Sequence, residues 1–347
     1  MDGAVGERMN LSGWLPARIA WRDSAPQVEW ILMGNERLLE PFFEQTLQRQ
    51  MMNPFHQLFR RETSMEEMCL WTEAHPRSHS KSHSGAPLKG IVYHMSRCGS
   101  TLIGRQLAAI ERTIVASEPE PMDDVLSLPL HIPDLPRAVH IHWLRAMAAA
   151  LGQARNGEQA FYLKTDCWHI HDFDLLREAF PETPWIFLYR DPVEVMVSQT
   201  RMPAAWTVPS QLDPVRLGLQ RADWNPPYLD VYRARALANI CAAGLRAAQH
   251  SNGGLLVNYC ELPEAMYDRL LAHFGLRADD VVAMRNAAQR NAKSPTMTFV
   301  PDQSAKQAEA SDRLRAVVAE QLLPVYEQLE AVRLKQLDLG TAVLGQK

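Results

Sequence analysis

Six residues, Arg97-Cys98-Gly99-Ser100-Thr101-Leu102, put a permanent cation, a glycine and two hydroxyls between an apolar run at 90–94 and an amphipathic stretch at 101–112. If the run is a strand and the stretch a helix, successive backbone N–H groups from Cys98 to Leu102 converge on an anion at the positive end of that helix. Gly99 allows close backbone approach, Ser100 and Thr101 add hydroxyl donors, and Arg97 offers a forked contact. A triphosphate loop, G-x-x-x-x-G-K-[ST], carries a lysine after its second glycine. Here Ser100 follows Gly99 and the cation precedes it, a pattern that suits one mononucleotide phosphate better than a triphosphate. The competing reading is a plain strand–turn–helix connection with a solvated arginine.

A second constellation lies in "WIFLYRDPVEVMVSQTR", residues 185–201. An apolar strand ends at Arg190, Asp191 is a natural N-cap, and Pro192 suits the first helical position. Ser198 follows two turns later. An arginine at a strand end with that serine can grip a second phosphate; the alternative is that Arg190 pairs with Asp191 or Glu194 while Ser198 merely lies on a helix face.

These residues need strands and helices to hold them. From Leu88 onward, strand-like runs at 90–94, 161–165, 185–189 and 255–259 alternate with helical patterns at 101–112, 140–155, 173–180, 192–201 and 228–251. That alternation predicts an α/β fold, a P-loop-type sandwich whose central, mostly parallel sheet is flanked by helices. A C-terminal helix is predicted over 308–334, interrupted at Pro324. Ahead of this region, residues 14–74 hold a predicted strand at 28–33 and a helical stretch at 41–60. The polar tract "HPRSHSKSHSGAP" at 75–87 has linker composition. The expected division is therefore 1–86, an N-terminal segment and linker of unknown role, and 87–347, the nucleotide-binding domain.

Composition narrows the partners. A net charge of -4 with a pI near 6.3 argues against a nucleic-acid binder. The five cysteines lack C-x-x-C spacing, so neither a zinc site nor a disulfide framework is suggested. No run approaches the roughly 18 apolar residues of a membrane span, and residues 1–21 lack a secretory h-region. The expectation is a soluble, cytoplasmic protein. Two histidine groups invite a metal. His75, His79 and His83 recur every fourth residue, but Pro76, the serines and Gly85 disfavour a helix there. His169, His171 and Asp172 can share a face, yet Asp172 is better placed to cap a helix starting at Phe173.

Taken together, the two phosphate motifs resemble the sulfotransferase family that uses 3′-phosphoadenosine 5′-phosphosulfate (PAPS), over about residues 88–335. Arg97-Cys98-Gly99-Ser100-Thr101-Leu102 stands for that family's 5′-phosphosulfate loop, with Cys98 replacing the usual serine, and Arg190 with Ser198 for its 3′-phosphate motif. The pattern is most similar to the tyrosylprotein-sulfotransferase-like branch and its bacterial relatives. Glu118 lies 21 residues after Arg97, Lys164 lies 26 before Arg190, and Asp302-Gln303-Ser304-Ala305-Lys306 matches a D-Q-x-x-K stretch. The resemblance implies Glu118, just after the first helix of the core, as general base, with Glu120 as understudy. It implies Arg97 and Lys164 as cations flanking the phosphosulfate, and Lys306, in a C-terminal loop, closing over the 3′-phosphate. Ser294 adds a hydroxyl. A histidine base of the cytosolic small-molecule type has no counterpart: position 157 is Gly157, and His140 and His142 are displaced.

The implied reaction is in-line sulfuryl transfer from PAPS to a hydroxyl or amine of a small-molecule or peptide acceptor, leaving PAP, with no metal required. Met122, Trp206, Trp224 and Tyr228 suit an apolar or aromatic acceptor, or equally the packing of a lid. Two other readings stay open: a P-loop nucleotide kinase using ATP and magnesium, and a non-catalytic protein that binds 3′,5′-ADP.

Overall fold

The computed structural model describes residues 10–74, 85–220, 228–290 and 302–344. Two sheets organise them. The first is antiparallel, in the order β1-β2-β3: β1 is Trp14–Arg22, β2 Ala25–Leu32 and β3 Arg61–Ser64. Arg22 pairs with Ala25, so two residues join β1 to β2. Both, Asp23 and Ser24, have positive φ, 47° and 65°, as a primed hairpin turn requires.

The second sheet has five strands in the order β5-β6-β4-β7-β8: β4 is Leu88–His94, β5 Thr113–Ser117, β6 Ala160–Lys164, β7 Trp185–Tyr189 and β8 Gly254–Asn258. The pairs β5/β6, β4/β7 and β7/β8 run parallel. Every residue of β5 and β7 is buried, as expected of strands covered on both faces. This is the α/β sheet with flanking helices that the alternating pattern predicts.

Several boundaries differ from those expected. The helix expected at 101–112 spans Ser100–Ala108. Thr113 Oγ1 bonds the carbonyls of Leu107 and Ile110, drawing the chain into β5, a strand the apolar pattern does not reveal. Glu118 therefore follows a strand and not the first helix. The stretch at 41–60 is two helices, Phe43–Met51 and Pro54–Leu58, separated where Asn53 caps the second. The C-terminal helix is three: Gln303–Glu309, Asp312–Gln321 and Leu323–Leu344. Pro324 sits in the first turn of the last, where its missing N–H costs nothing, so the break precedes it.

The described residues group into two compact units. The first comprises segments of Met1–Lys89, Gly104–Lys164 and Leu175–Pro181, so the N-terminal sheet shares a core with later chain. Trp30 and Trp71 meet edge-on at 6.2 Å, and Trp30 Nε1 donates to Thr63 Oγ1 at 2.9 Å. Two polar side chains fasten β1 to residues beyond 104. Buried Gln153 donates to the carbonyls of Leu11 and Trp14 at 3.2 and 3.1 Å and accepts the Gly13 N–H. Asp124 accepts the Ile19 N–H at 2.6 Å.

The second unit comprises segments of Gly90–Ile103, Thr165–Asp174 and Glu182–Lys347. Here Tyr189, at the end of β7, and Asn258, at the end of β8, both bond Glu330 of the C-terminal helix. The five cysteines are free thiols, and among the described residues no helix is long and apolar enough to cross a membrane.

Candidate functional site

In the second unit, the chain leaves β4 through three left-handed residues, Ser96, Arg97 and Gly99, with φ of 73°, 52° and 92°. Two of them are not glycine, a strained arrangement that persists only where its surroundings impose it. Those surroundings are visible. His94 Nε2 lies 2.9 Å from the Thr165 carbonyl, and its Nδ1 is 3.1 Å from the Ser96 N–H, so the ring donates at one nitrogen and accepts at the other. Gln199 donates to Ser96 Oγ, and the Cys98 thiol donates to the Leu188 carbonyl at 3.2 Å. Cys98 thus serves as a buried brace. Arg97 donates to the Met202 carbonyl at 2.5 Å. Ser100 and Thr101 are buried at the start of helix Ser100–Ala108, with Leu102 bonding back to the Gly99 carbonyl.

Gly99 is required on two counts. Its φ disfavours any side chain, and a Cβ would fall 2.6 and 2.8 Å from ring carbons of Tyr259. The same Tyr259 ring carries the Arg190 guanidinium at 4.0 Å from its centroid. Loop and arginine, each just past the end of one of the paired parallel strands β4 and β7, thus meet one tyrosine. Ligands of open α/β sheets bind at such strand ends. Tyr259 was legible only as the last residue of a predicted strand; its position just past β8 is the signal that could have marked it.

Arg190 is buried and doubly paired: Nε to Glu194 at 2.6 Å and an Nη to Asp302 at 2.8 Å. Asp191 instead caps helix Pro192–Arg201, accepting the Glu194 N–H, and also accepts from Gln307. Asp302 reaches a second buried cation, Lys306 Nζ, at 2.7 Å. Lys306 lies in helix Gln303–Glu309, not in the loop expected for it. Burial works against the Arg190 charge, but Asp302 and Glu194 outweigh it and raise its pKa; burial holds the Lys306 ammonium below its usual range despite Asp302. Asp302 itself is held below the ordinary carboxylate range, because Lys306 and Arg190 outweigh the burial that would raise it. Ser198 is half-buried on the same helix as Glu194.

The first unit holds the other predicted pair. Lys164 ends β6 opposite Ser117, and the Glu118 N–H donates to the Lys164 carbonyl at 2.7 Å. The ladder therefore sets the two side chains beside each other, and the Lys164 ammonium, 1% exposed, donates to Glu118 Oε1. Glu118 adopts a left-handed φ of 54°, a second non-glycine strain at a predicted site residue. Gly104 lets helix Ser100–Ala108 lie close to the end of β5: a Cβ there would be 3.1 Å from Ser117 Oγ. The N-terminal segment contributes Phe42, whose ring centroid is 5.4 Å from Lys164 Nζ. Glu120 is exposed at the start of helix Glu120–Ser127.

The remaining candidates separate. His169 is fully buried in a capping box with Asp166 at the start of the short 3-10 turn Cys167–Asp172, and Asp172, expected to cap the helix at Phe173, is the last residue of that turn. His171 packs on Gly218, and burial pushes its imidazole down to about 4. His169, His171 and Asp172 do not bring ligand atoms together. His140 bonds the Val125 carbonyl. Met122 and Trp206 are core residues, whereas Tyr228 is exposed beneath the Arg313 guanidinium. His75, His79, His83, Trp224 and Ser294 lie outside the described residues.

No family model and no curated protein matches the sequence. Solved structures similar in fold include a sulfotransferase from Alicyclobacillus acidocaldarius, at 14% identity and a TM-score of 0.42, covering 72% of this chain and 96% of that one. A sulfotransferase from Mycobacterium avium matches at 14% identity and 0.37, covering 74% and 80%, and the sulfotransferase domain from the curacin biosynthetic pathway at 13% and 0.38, covering 74% and 99%. All three are distant likenesses.

Proposed function

We propose that the chain is a PAPS-dependent sulfotransferase acting on a hydroxyl or amine of a small-molecule or peptide acceptor. The observation that carries this reading is the shared Tyr259 ring: a left-handed loop rich in N–H donors and a buried arginine approach it from the ends of neighbouring parallel strands. Such a donor set fits a nucleotide with two separate phosphate groups. In it, backbone N–H groups of Cys98, Gly99, Ser100, Thr101 and Leu102 with Arg97 take the 5′ end, and Arg190, Ser198 and Lys306 take the 3′-phosphate. The spacing of Glu118 and Lys164 supports the tyrosylprotein-like branch.

Glu118 takes the proton of the acceptor as its oxygen or nitrogen bonds to sulfur. The sulfur–oxygen bond to the 5′-phosphate breaks, and its electron pair leaves on the phosphate oxygen. Neutralising Glu118 frees the Lys164 ammonium from its partner, so that with Arg97 it can stabilise the negative charge gathering on the leaving group. Positioning and fixed charge carry most of the rate, by analogy with phosphoryl transfer.

Calorimetry with 3′,5′-ADP, 5′-AMP and ATP–Mg tests the reading, and the expected order places 3′,5′-ADP first. Preference for ATP–Mg would overturn it in favour of a nucleotide kinase. A screen of acceptors with radiolabelled PAPS then separates an enzyme from a protein that only binds 3′,5′-ADP.

A further inference from the structure

Four charges meet around Arg190, and they cancel. Arg190 and Lys306 are cations and both are buried; Glu194 is a buried anion; Asp302, whose side chain is 42% exposed, is the fourth. A phosphate dianion brought to a neutral cluster gains little, because each cation already has a carboxylate partner at hydrogen-bond distance. Glu194 cannot make room: it is packed inside helix Pro192–Arg201, and the Arg190 Nε bond holds it. Asp302 can, since it opens to solvent and its cap position before helix Gln303–Glu309 shows no side-chain cap bond. It is also the residue that spans both cations, at 2.8 and 2.7 Å, as one oxyanion group of a phosphate would.

We propose that Asp302 is a built-in competitor of the nucleotide's phosphate, a carboxylate that must leave Arg190 and Lys306 before a phosphomonoester can bind them. This rests on the donor-site reading given above. Its effect is to moderate affinity for 3′-phosphorylated nucleotides, substrate and product alike, and so to hasten product departure. The exchange proceeds by movement and not by protonation, because the two cations keep Asp302 ionised well below neutral pH.

The test is calorimetry of the whole chain and of Asp302→Asn with 3′,5′-ADP and 5′-AMP. Asp302→Asn keeps the shape and removes the charge, so 3′,5′-ADP should bind about tenfold tighter, while 5′-AMP, lacking the 3′-phosphate, should not change. Asp302→Ala should act in the same direction, and unchanged 5′-AMP binding certifies that both variants are folded. Equal or weaker 3′,5′-ADP binding by both variants overturns the proposal. If the unmodified chain fails to prefer 3′,5′-ADP over 5′-AMP, the donor-site reading itself falls.

Discussion

The Glu118–Lys164 pair and the Arg190 cluster both join cations to carboxylates, but they are made differently. Glu118 and Lys164 sit on adjoining strand ends, joined by a ladder bond and a direct ion pair, with the lysine 1% exposed. Around Arg190, the partners come from a helix four residues on and from Asp302, 112 residues away, whose carboxylate faces water. The first centre is set by backbone pairing; the second rests in part on a side chain that is 42% exposed. On the proposed function, the first centre holds a base in register with the proton it takes, and the second exchanges Asp302 for a phosphate.

The largest effect should come from the fixed centre. Glu118→Gln should lower turnover on a responsive acceptor by roughly 10²–10⁴-fold with 3′,5′-ADP affinity unchanged, read by a radiolabelled-PAPS assay beside calorimetry. Full activity would move the base elsewhere and dissolve the contrast. At the exchanging centre, Arg190→Ala leaves Glu194 buried without its partner. Stability should fall by about 3 kcal/mol in denaturant titration, and 3′,5′-ADP affinity by roughly a hundredfold while 5′-AMP is spared. Equal losses for both nucleotides would show that Arg190 supports the whole loop.

Tyr259, which serves both motifs of the second unit, gives a smaller effect. Gly99→Ala should cost about 1–3 kcal/mol, from the positive φ and the contact with the ring. Adding Tyr259→Ala removes the contact and leaves the φ cost, so the double mutant should be less destabilised than the sum of the two single changes. The smallest effect concerns the anchoring of the fixed unit. Burial pushes the Asp124 carboxyl up to about 7, above its unfolded value near 3.8. The folded state therefore binds that proton more tightly, and the stability it contributes is present at low pH and lost as pH rises toward 7. Relative to Asp124→Asn, the unmodified chain should lose stability between about pH 4.5 and 7.5, measured by thermal melts. A parallel pH profile in both would remove Asp124 from the account.

Local signals made much of the scaffold legible. Strand 185–189 and helix 192–201 agree with the sequence reading residue for residue, because an uninterrupted apolar run and an Asp-Pro cap punctuate them sharply. β5 was hidden because Thr113 and Ser117 flank only three apolar residues, and the preceding helix pattern runs straight into it. Glu118 and Lys164 were found by spacing, but the ladder that joins them needed β5. The pairing of Asp302 with Arg190 and the ring of Tyr259 under both motifs are long-range contacts, which no periodicity encodes.

Gln153 has a practical consequence for anyone trimming the chain. Its amide is buried, and all three of its bonds to the N-terminal segment end on backbone groups between Leu11 and Trp14. A cut made at the polar tract, where the sequence invites one, would strip that amide of those partners and uncover the buried residues of helix Arg137–Leu151 that pack against β1 and helix Met65–Ala74. Expression work should therefore keep the N-terminal sheet attached, or replace Gln153 with an apolar residue when removing it.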